Sequence, residues 1–212
     1  MDTRLTEISV RELVARLASG APVPGGGSAS ALAGALAAAL VHMVVELTAG
    51  RSEASEHEAA LADIRVAAAS LRSELTRLVD ADAAAYASVI AARRLPRGSD
   101  LERDARRVQL EAAIREATRA PLATARSASD VLELAERLAP IGNRNAISDV
   151  GVAALLAAAA IRGAVLNVRI NLPYVANDEE LRGEADAEIA GLSGGLEERE
   201  RSARDAVAGR LG

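Results

Sequence analysis

The sequence predicts an all-α protein, a multi-helix up-and-down bundle with long antiparallel helices. Three observations carry that expectation. Half of the residues are apolar, yet only Tyr86 and Tyr174 are aromatic, so the apolar mass is mostly Ala, Leu and Val. Alanine has the best helix propensity, with Leu close behind. Apolar positions recur at spacings of three and four over long stretches, as one face of a helix requires. The longest β-branched or apolar runs sit in alanine-rich, helix-period context, so no strand series emerges. A core of such small side chains favours close helix–helix approach. The chain has 212 residues, no internal repeat and no interdomain linker, and reads as a single domain, 1–212.

Ser9-Val10-Arg11-Glu12 has the form of a capping box, in which hydroxyl and carboxylate satisfy orphan amides reciprocally. It opens a short amphipathic helix from Val10 to Ala18, with Leu13, Val14 and Leu17 inward and Gly20 at its stop. Residues 21–27, APVPGGG, cannot continue a helix. Ser28 is then the natural N-cap of a long apolar helix to Leu47, ended by Gly50. A second long helix is expected from Ser55 to Arg93, with Leu61, Ile64, Ala68, Leu71, Leu75 and Leu78 along one face. Leu95-Pro96-Arg97-Gly98 turns the chain, and Ser99 or Asp100 caps the next helix. Pro121 lacks an amide proton, which predicts a kink or break near Ala120 before helix resumes to Leu138. Pro140 and Gly142 end that run. Residues 142–149, GNRNAISD, form a second loop, whose Ser148 or Asp149 caps a helix to Leu172, stopped by Pro173. From Asp178 onward charges alternate around Gly191, Gly194 and Gly195, as in a solvated helix or pair of helices.

Composition narrows the function. The net charge is −5 and no basic stripe stands out, which argues against a nucleic-acid partner. Cysteine is absent, excluding disulfides, thiolate catalysis and cysteine-ligated metals. The N-terminus, MDTRLTEISVRELV, is charged throughout and does not read as a signal peptide. Ala29–Thr48 and Val152–Ile170 approach the length of a bilayer span. They carry His42 and Glu46, and Arg162, Asn167 and Arg169. Ionisable groups inside a span are costly, so both stretches read as buried helices of a soluble cytoplasmic protein, covered by a second subunit, rather than as membrane spans.

Four features can carry chemistry. In Pro24-Gly25-Gly26-Gly27-Ser28, three missing Cβ atoms allow a ligand close to the backbone, and the adjoining helix offers free amides and a positive dipole end to an anion. A flexible turn with a serine cap would look the same. In Val79-Asp80-Ala81-Asp82-Ala83-Ala84-Ala85-Tyr86, two aspartates occupy a helix interior that does not favour them. Asp82 and Tyr86 are four apart and share a face. Asp80 points away, so one aspartate at most should face a given site. An Asp82 desolvated among alanines would have a raised pKa suited to general acid/base work; a solvated face is the alternative. Asn143, Ser148 and Asp149 place polar groups at another helix start, or simply cap it. Asn167 and Asn171, also four apart, must find partners in backbone or in a heterocyclic ligand. His42 and Glu46 share a face but are too few for a metal site. His57 lies in a Glu-rich stretch that reads as surface.

These segments, in this order, resemble the formimidoyltetrahydrofolate cyclodeaminase / methenyltetrahydrofolate cyclohydrolase family. The residues that carry the resemblance are PVPGGGSASALAGALAAALVHMV, LVDADAAAYASV, RLPRG, APLATA, GNRNAISDVGVAALL and NVRINL, spread from about Val10 to Asp178. The resemblance implies an all-α homodimer with folate in a groove at the subunit interface. It implies closure of 5-formimidoyltetrahydrofolate to the 5,10-methenyl compound with loss of ammonia, or interconversion of 5,10-methenyl- and 10-formyl-tetrahydrofolate. A catalytically inactive folate-binding or oligomerisation module is the alternative. No metal or redox cofactor is implied, and formimidoyl transfer would need a separate formiminotransferase. Asp82 is the expected general acid/base, with Asp80 in reserve. Pro24, Gly25, Gly26, Gly27 and Ser28 would line the groove, with Tyr86, Asn143, Ser148, Asp149, Asn167 and Asn171 as further binding residues. Two departures stand out: SEASEHE comes after Arg51 where the family is more basic and aromatic, and Tyr86 stands where Phe is common.

Overall fold

In the computed structural model, residues 4–175 and 178–211 are described. Every regular element among them is helical. The helices are α1 (Val10–Leu17), α2 (Gly26–Thr48), α3 (Glu58–Arg93), α4 (Asp100–Leu138), α5 (Ile147–Asn171), α6 (Glu179–Ser193) and α7 (Leu196–Leu211). Short 3-10 turns occupy Leu5–Glu7, Ser52–His57, Arg144–Ala146 and Leu172–Val175.

α2 to α5 run up and down around one core, and α2 closes the bundle by packing against α5 as well as α3. Small residues permit the close approach. A Cβ on Gly163 of α5 would lie 2.3 Å from Ser30 Oγ of α2, and one on Gly34 would lie 2.9 Å from Leu75 Cδ2 of α3. Ile64, Leu75, Val41, Leu132 and Ile161 are fully buried at the centre. α2 and α5 are long and apolar enough to cross a membrane by length and composition. In this fold each buries one face in the bundle.

The 36 residues of α3 and 39 of α4 reach about 54 and 58 Å at the α-helical rise. They overhang the 23 residues of α2 and 25 of α5. The overhang has its own small core, in which Val89 and Ala92 meet Ile114, Ala117, Val175 and Leu181. This leaves a ledge where α2 begins and α5 ends.

α6 and α7 are more than a solvated tail. They bury Leu181, Ala185, Ile189, Leu196, Ala203 and Val207. Arg199 of α7 holds Glu136 of α4 at 2.9 Å, and Arg126 of α4 pairs with Glu184 and Glu188 of α6.

Ser99 forms a complete capping box with Glu102, whereas at Ser9 only half of the predicted box forms: its hydroxyl accepts from the Glu12 amide, and the Glu12 carboxylate pairs with Arg16 instead. Three local expectations give way to tertiary structure. Gly25, not Ser28, is the N-cap of α2, and Ser28 lies inside the first turn. Neither Ser148 nor Asp149 caps α5: both are within its first turn, and Asn143 caps the preceding 3-10 turn by accepting from the Asn145 amide at 3.0 Å. α4 does not break at Pro121 but runs unbroken from Asp100 to Leu138. Proline in a helix strands the carbonyl four residues back, here that of Ala117. Asn171 donates its Nδ2 to that carbonyl at 2.8 Å, so the lost intrahelical bond is replaced from a neighbouring helix.

Candidate active site

A cavity of about 260 Å³ opens on the ledge. The loop before α2 supplies Pro22, Val23 and Gly25, and the first turn of α2 supplies Gly26 and Gly27. Asp82 and Tyr86 come from α3, Ala117 from α4, and Asn167, Ile170 and Asn171 from the last turns of α5.

The site is built around one contact. The first amides of any α-helix have no intrahelical acceptor, and Gly25 has no side chain to cap them. Asp82 does so from α3. Its Oδ2 accepts from Ser28 Oγ at 2.9 Å, and its carboxylate also accepts from the Ser28 backbone amide. The carboxylate sits so close to α2 that a Cβ on Gly27 would lie 2.0 Å from Asp82 Oδ1. Gly27 therefore has to be glycine for this arrangement, whatever its φ. The anion at the positive end of α2 is thus the protein's own, and the glycine loop is a wall and a cradle for Asp82.

Burial of Asp82 pushes its carboxyl above the ordinary value, and the two hydrogen bonds from Ser28 oppose that without cancelling it. A carboxyl held in this way at a cavity wall holds its proton more readily than an exposed one, which suits a group that must both accept and donate a proton. Removing the hydroxyl in Ser28→Ala takes away a bond that favours the charged form. The acid limb of a kcat/KM–pH profile should then move to higher pH, and a limb that stays or moves lower would refute this account of the Asp82 environment.

The other predicted residues divide into two groups. Tyr86 is 40% exposed and stands one turn beyond Asp82 on the wall. Asn167 and Asn171 line the cavity from the last turns of α5. The Asn167 amide donates back to Gly163 O at 2.8 Å, while its side chain lies against Gly26. Pro24 is buried beneath the loop and does not line the cavity. Ser28 is 2% exposed, and its hydroxyl is committed to Asp82.

Asp80 is not in the cavity. Its two oxygens accept from the Leu5 amide at 2.7 Å and from Thr6 Oγ1 at 2.6 Å, tethering the N-terminal turn to α3. Asn143, Ser148 and Asp149 lie at the far end of α2, roughly 35 Å of helix away within the same chain. There Asn143 donates its amide to Thr48 Oγ1 and its Nδ2 to Leu47 O, both at 2.9 Å. His57 lines a smaller cavity at that end. His42 faces Glu46 at 3.8 Å, and Glu46 pairs with Arg65 at 2.6 Å. Among the described residues no group of three or more His, Cys, Asp or Glu is placed to hold a metal.

Sequence reasoning missed Pro22, Val23, Ala117 and Ile170. One signal could have found Ala117: it is the residue whose carbonyl Pro121 leaves without a partner.

Comparison with known proteins places this cavity in context. The sequence matches the formiminotransferase-cyclodeaminase family over residues 9–191. It is 42% identical over 186 residues to the methenyltetrahydrofolate cyclohydrolase of Methylorubrum extorquens, covering 86% of this chain and 89% of that one. It is 34% identical over 205 residues to the formimidoyltransferase-cyclodeaminase of Rattus norvegicus, covering 92% of this chain but only 38% of that longer protein. The fold superposes on the crystal structure of formiminotetrahydrofolate cyclodeaminase from Thermotoga maritima with a TM-score of 0.85, at 28% identity and over 97% of this chain and 98% of that one. With a matched segment that takes in every residue of the cavity wall, the chain belongs to the formiminotransferase-cyclodeaminase family.

Proposed function

We propose that this protein is a folate one-carbon enzyme working at the Asp82 cavity. The first reading is reversible hydrolysis of 5,10-methenyltetrahydrofolate to 10-formyltetrahydrofolate. Water adds to the bridging carbon, the resulting tetrahedral carbon expels N5, and a proton is delivered to N5. The second reading is cyclisation of 5-formimidoyltetrahydrofolate, in which N10 attacks the formimidoyl carbon and the nitrogen leaves as ammonia. The M. extorquens relative, matched over nearly its whole length, favours the first; the T. maritima fold neighbour favours the second. Both pass through a tetrahedral carbon between N5 and N10, and both need one group that takes and returns a proton there. Asp82, buried, with a raised pKa and on the cavity wall, is the observation that carries the proposal. Gly25, Gly26 and Gly27 bring the ligand close to backbone, and Tyr86, Asn167 and Asn171 offer a ring face and amides to the pterin. The chemistry asks for no metal or redox cofactor, and formimidoyl transfer falls to a separate transferase.

We further propose a homodimer, with Asn143, Ser148 and Asp149 reaching substrate only across the subunit boundary. The cavity in one chain is below the ~300–1,000 Å³ usual for a ligand of folate size, which supports completion by a partner. Leu36, Met43 and Leu47 on α2, and Val152, Leu155, Leu166 and Ile170 on α5, form outward apolar stripes at helical spacing, with Leu166 65% and Ile170 68% exposed. Patches of this kind mark interfaces. Partnered in this way, α2 and α5 suit a soluble cytoplasmic protein rather than a membrane span. Sedimentation should give twice the chain mass, and Leu166→Glu should shift it toward the monomer; a monomeric parent would end this proposal.

The functional test is two assays on one preparation: loss of the methenyltetrahydrofolate chromophore above the buffer rate, and ammonia release from 5-formimidoyltetrahydrofolate. Turnover in either supports the proposal. Folate binding with turnover in neither leaves a binding module and overturns the enzyme.

A further inference from the structure

The bond between Asn171 and α4 has a bearing on recognition. Pro121 has no amide proton, so within α4 the Ala117 carbonyl has no partner. The Asn171 amide takes that place at 2.8 Å from the last turn of α5. Ala117 and Asn171 both line the cavity that Asp82 also lines. The bond therefore ties α4 to α5 across the cavity wall and also fixes the Asn171 side chain. With its nitrogen held by Ala117, the amide is oriented, and its carbonyl oxygen is the acceptor it retains for a ligand.

We propose that Pro121 is a positioning residue for the cavity, and that Asn171, oriented by it, is a specificity-determining residue that accepts a hydrogen bond from an N–H edge of the bound heterocycle. The identity of that heterocycle rests on the folate reading, since the aminopyrimidinone ring of a pterin presents N–H donors on one edge. The link from Pro121 through Ala117 to Asn171 does not rest on it. An ordinary helix residue at 121 would supply the missing amide proton, satisfy Ala117 within α4 and leave Asn171 free to turn. A site that hydrogen-bonds a ligand N–H discriminates through the cost of leaving buried polar groups unpaired, so its loss should appear in binding before chemistry.

Two readouts test the proposal. In Pro121→Ala, KM for the turned-over folate should rise about ten-fold, the effect of one lost ligand hydrogen bond, while kcat stays within about two-fold. Tm should hold or rise, because the helix regains a bond. A purely structural proline would move Tm and leave KM alone. In thermal unfolding, Asn171→Leu should lower Tm in the parent, where it orphans the Ala117 carbonyl, and lower it by less than half as much in the Pro121→Ala background. Unchanged KM in Pro121→Ala, or equal Tm losses in both backgrounds, overturns the proposal. If Pro121→Ala does not fold, Asn171→Leu alone decides: KM unchanged refutes the role in recognition, and KM raised with kcat retained supports it. If the parent turns over neither folate, the enzymatic reading has failed, while the pair of Tm losses still confirms or refutes the link.

Discussion

Alanine at position 27 should inactivate this enzyme. The added Cβ would sit 2.0 Å from Asp82 Oδ1 and 2.4 Å from its Cγ, far inside any contact distance. The carboxylate would have to swing away from α2 or the first turn of α2 would have to unwind. Either change breaks the bonds between Asp82 and Ser28. A misplacement of about 1 Å in a reacting group can cost about 10²-fold in rate, so kcat/KM should fall by at least that much. Overpacking of this kind costs about 1–3 kcal/mol, which thermal unfolding will read. Gly25→Ala is the control for stability, because its Cβ would meet nothing within 4 Å. Near-parental activity in Gly27→Ala would show that Asp82 need not sit where the structure puts it.

Asp82→Asn should separate chemistry from folding. Asparagine retains an oxygen that can accept from the Ser28 amide and hydroxyl, so the start of α2 keeps its cap. It cannot carry the proton, and loss of a general acid/base costs about 10²–10⁴-fold. The sign of the pH effect on stability is set by the raised pKa. A carboxyl whose folded pKa lies above its unfolded value stabilises the fold at pH below the unfolded value, and that contribution is lost as pH rises through the folded one. The parent should therefore lose ground to Asp82→Asn as pH rises through that window, measured as the difference in unfolding free energy. A gap that widens in the parent's favour with rising pH would contradict the burial account. Stability given up at a functional position is a common trade.

The helices were legible in the sequence because propensity, periodicity and caps agreed. Ser99 and Glu102 satisfy each other within four residues, so nothing distant can override them. Asp82 and Tyr86 were legible for a similar reason: their spacing puts them on one helical face whatever that face meets. Ser28 was misread because a local rule assigned its hydroxyl to its own helix, whereas a carboxylate 54 residues away captured it. The break that Pro121 allowed for does not occur, and the sequence could not show this locally, since the Asn171 amide that replaces the lost hydrogen bond belongs to another helix. Asn143, Ser148 and Asp149 were singled out as polar groups at a helix start and by the family resemblance, neither of which says where in the fold they lie. Which end of a long antiparallel helix a residue occupies depends on topology, and the start of α5 lies at the end of α2 far from Asp82.

The central claim is that Asp82, held against the first turn of α2, moves the proton while a folate one-carbon unit is opened or closed. The measurement that meets it most directly is the rate of methenyltetrahydrofolate chromophore loss and of ammonia release, for the parent and Asp82→Asn in parallel at one pH. The parent should turn over at least one substrate, and the variant neither above about a hundredth of that rate, with folding and folate binding intact. Parental rates in folded Asp82→Asn would contradict the account.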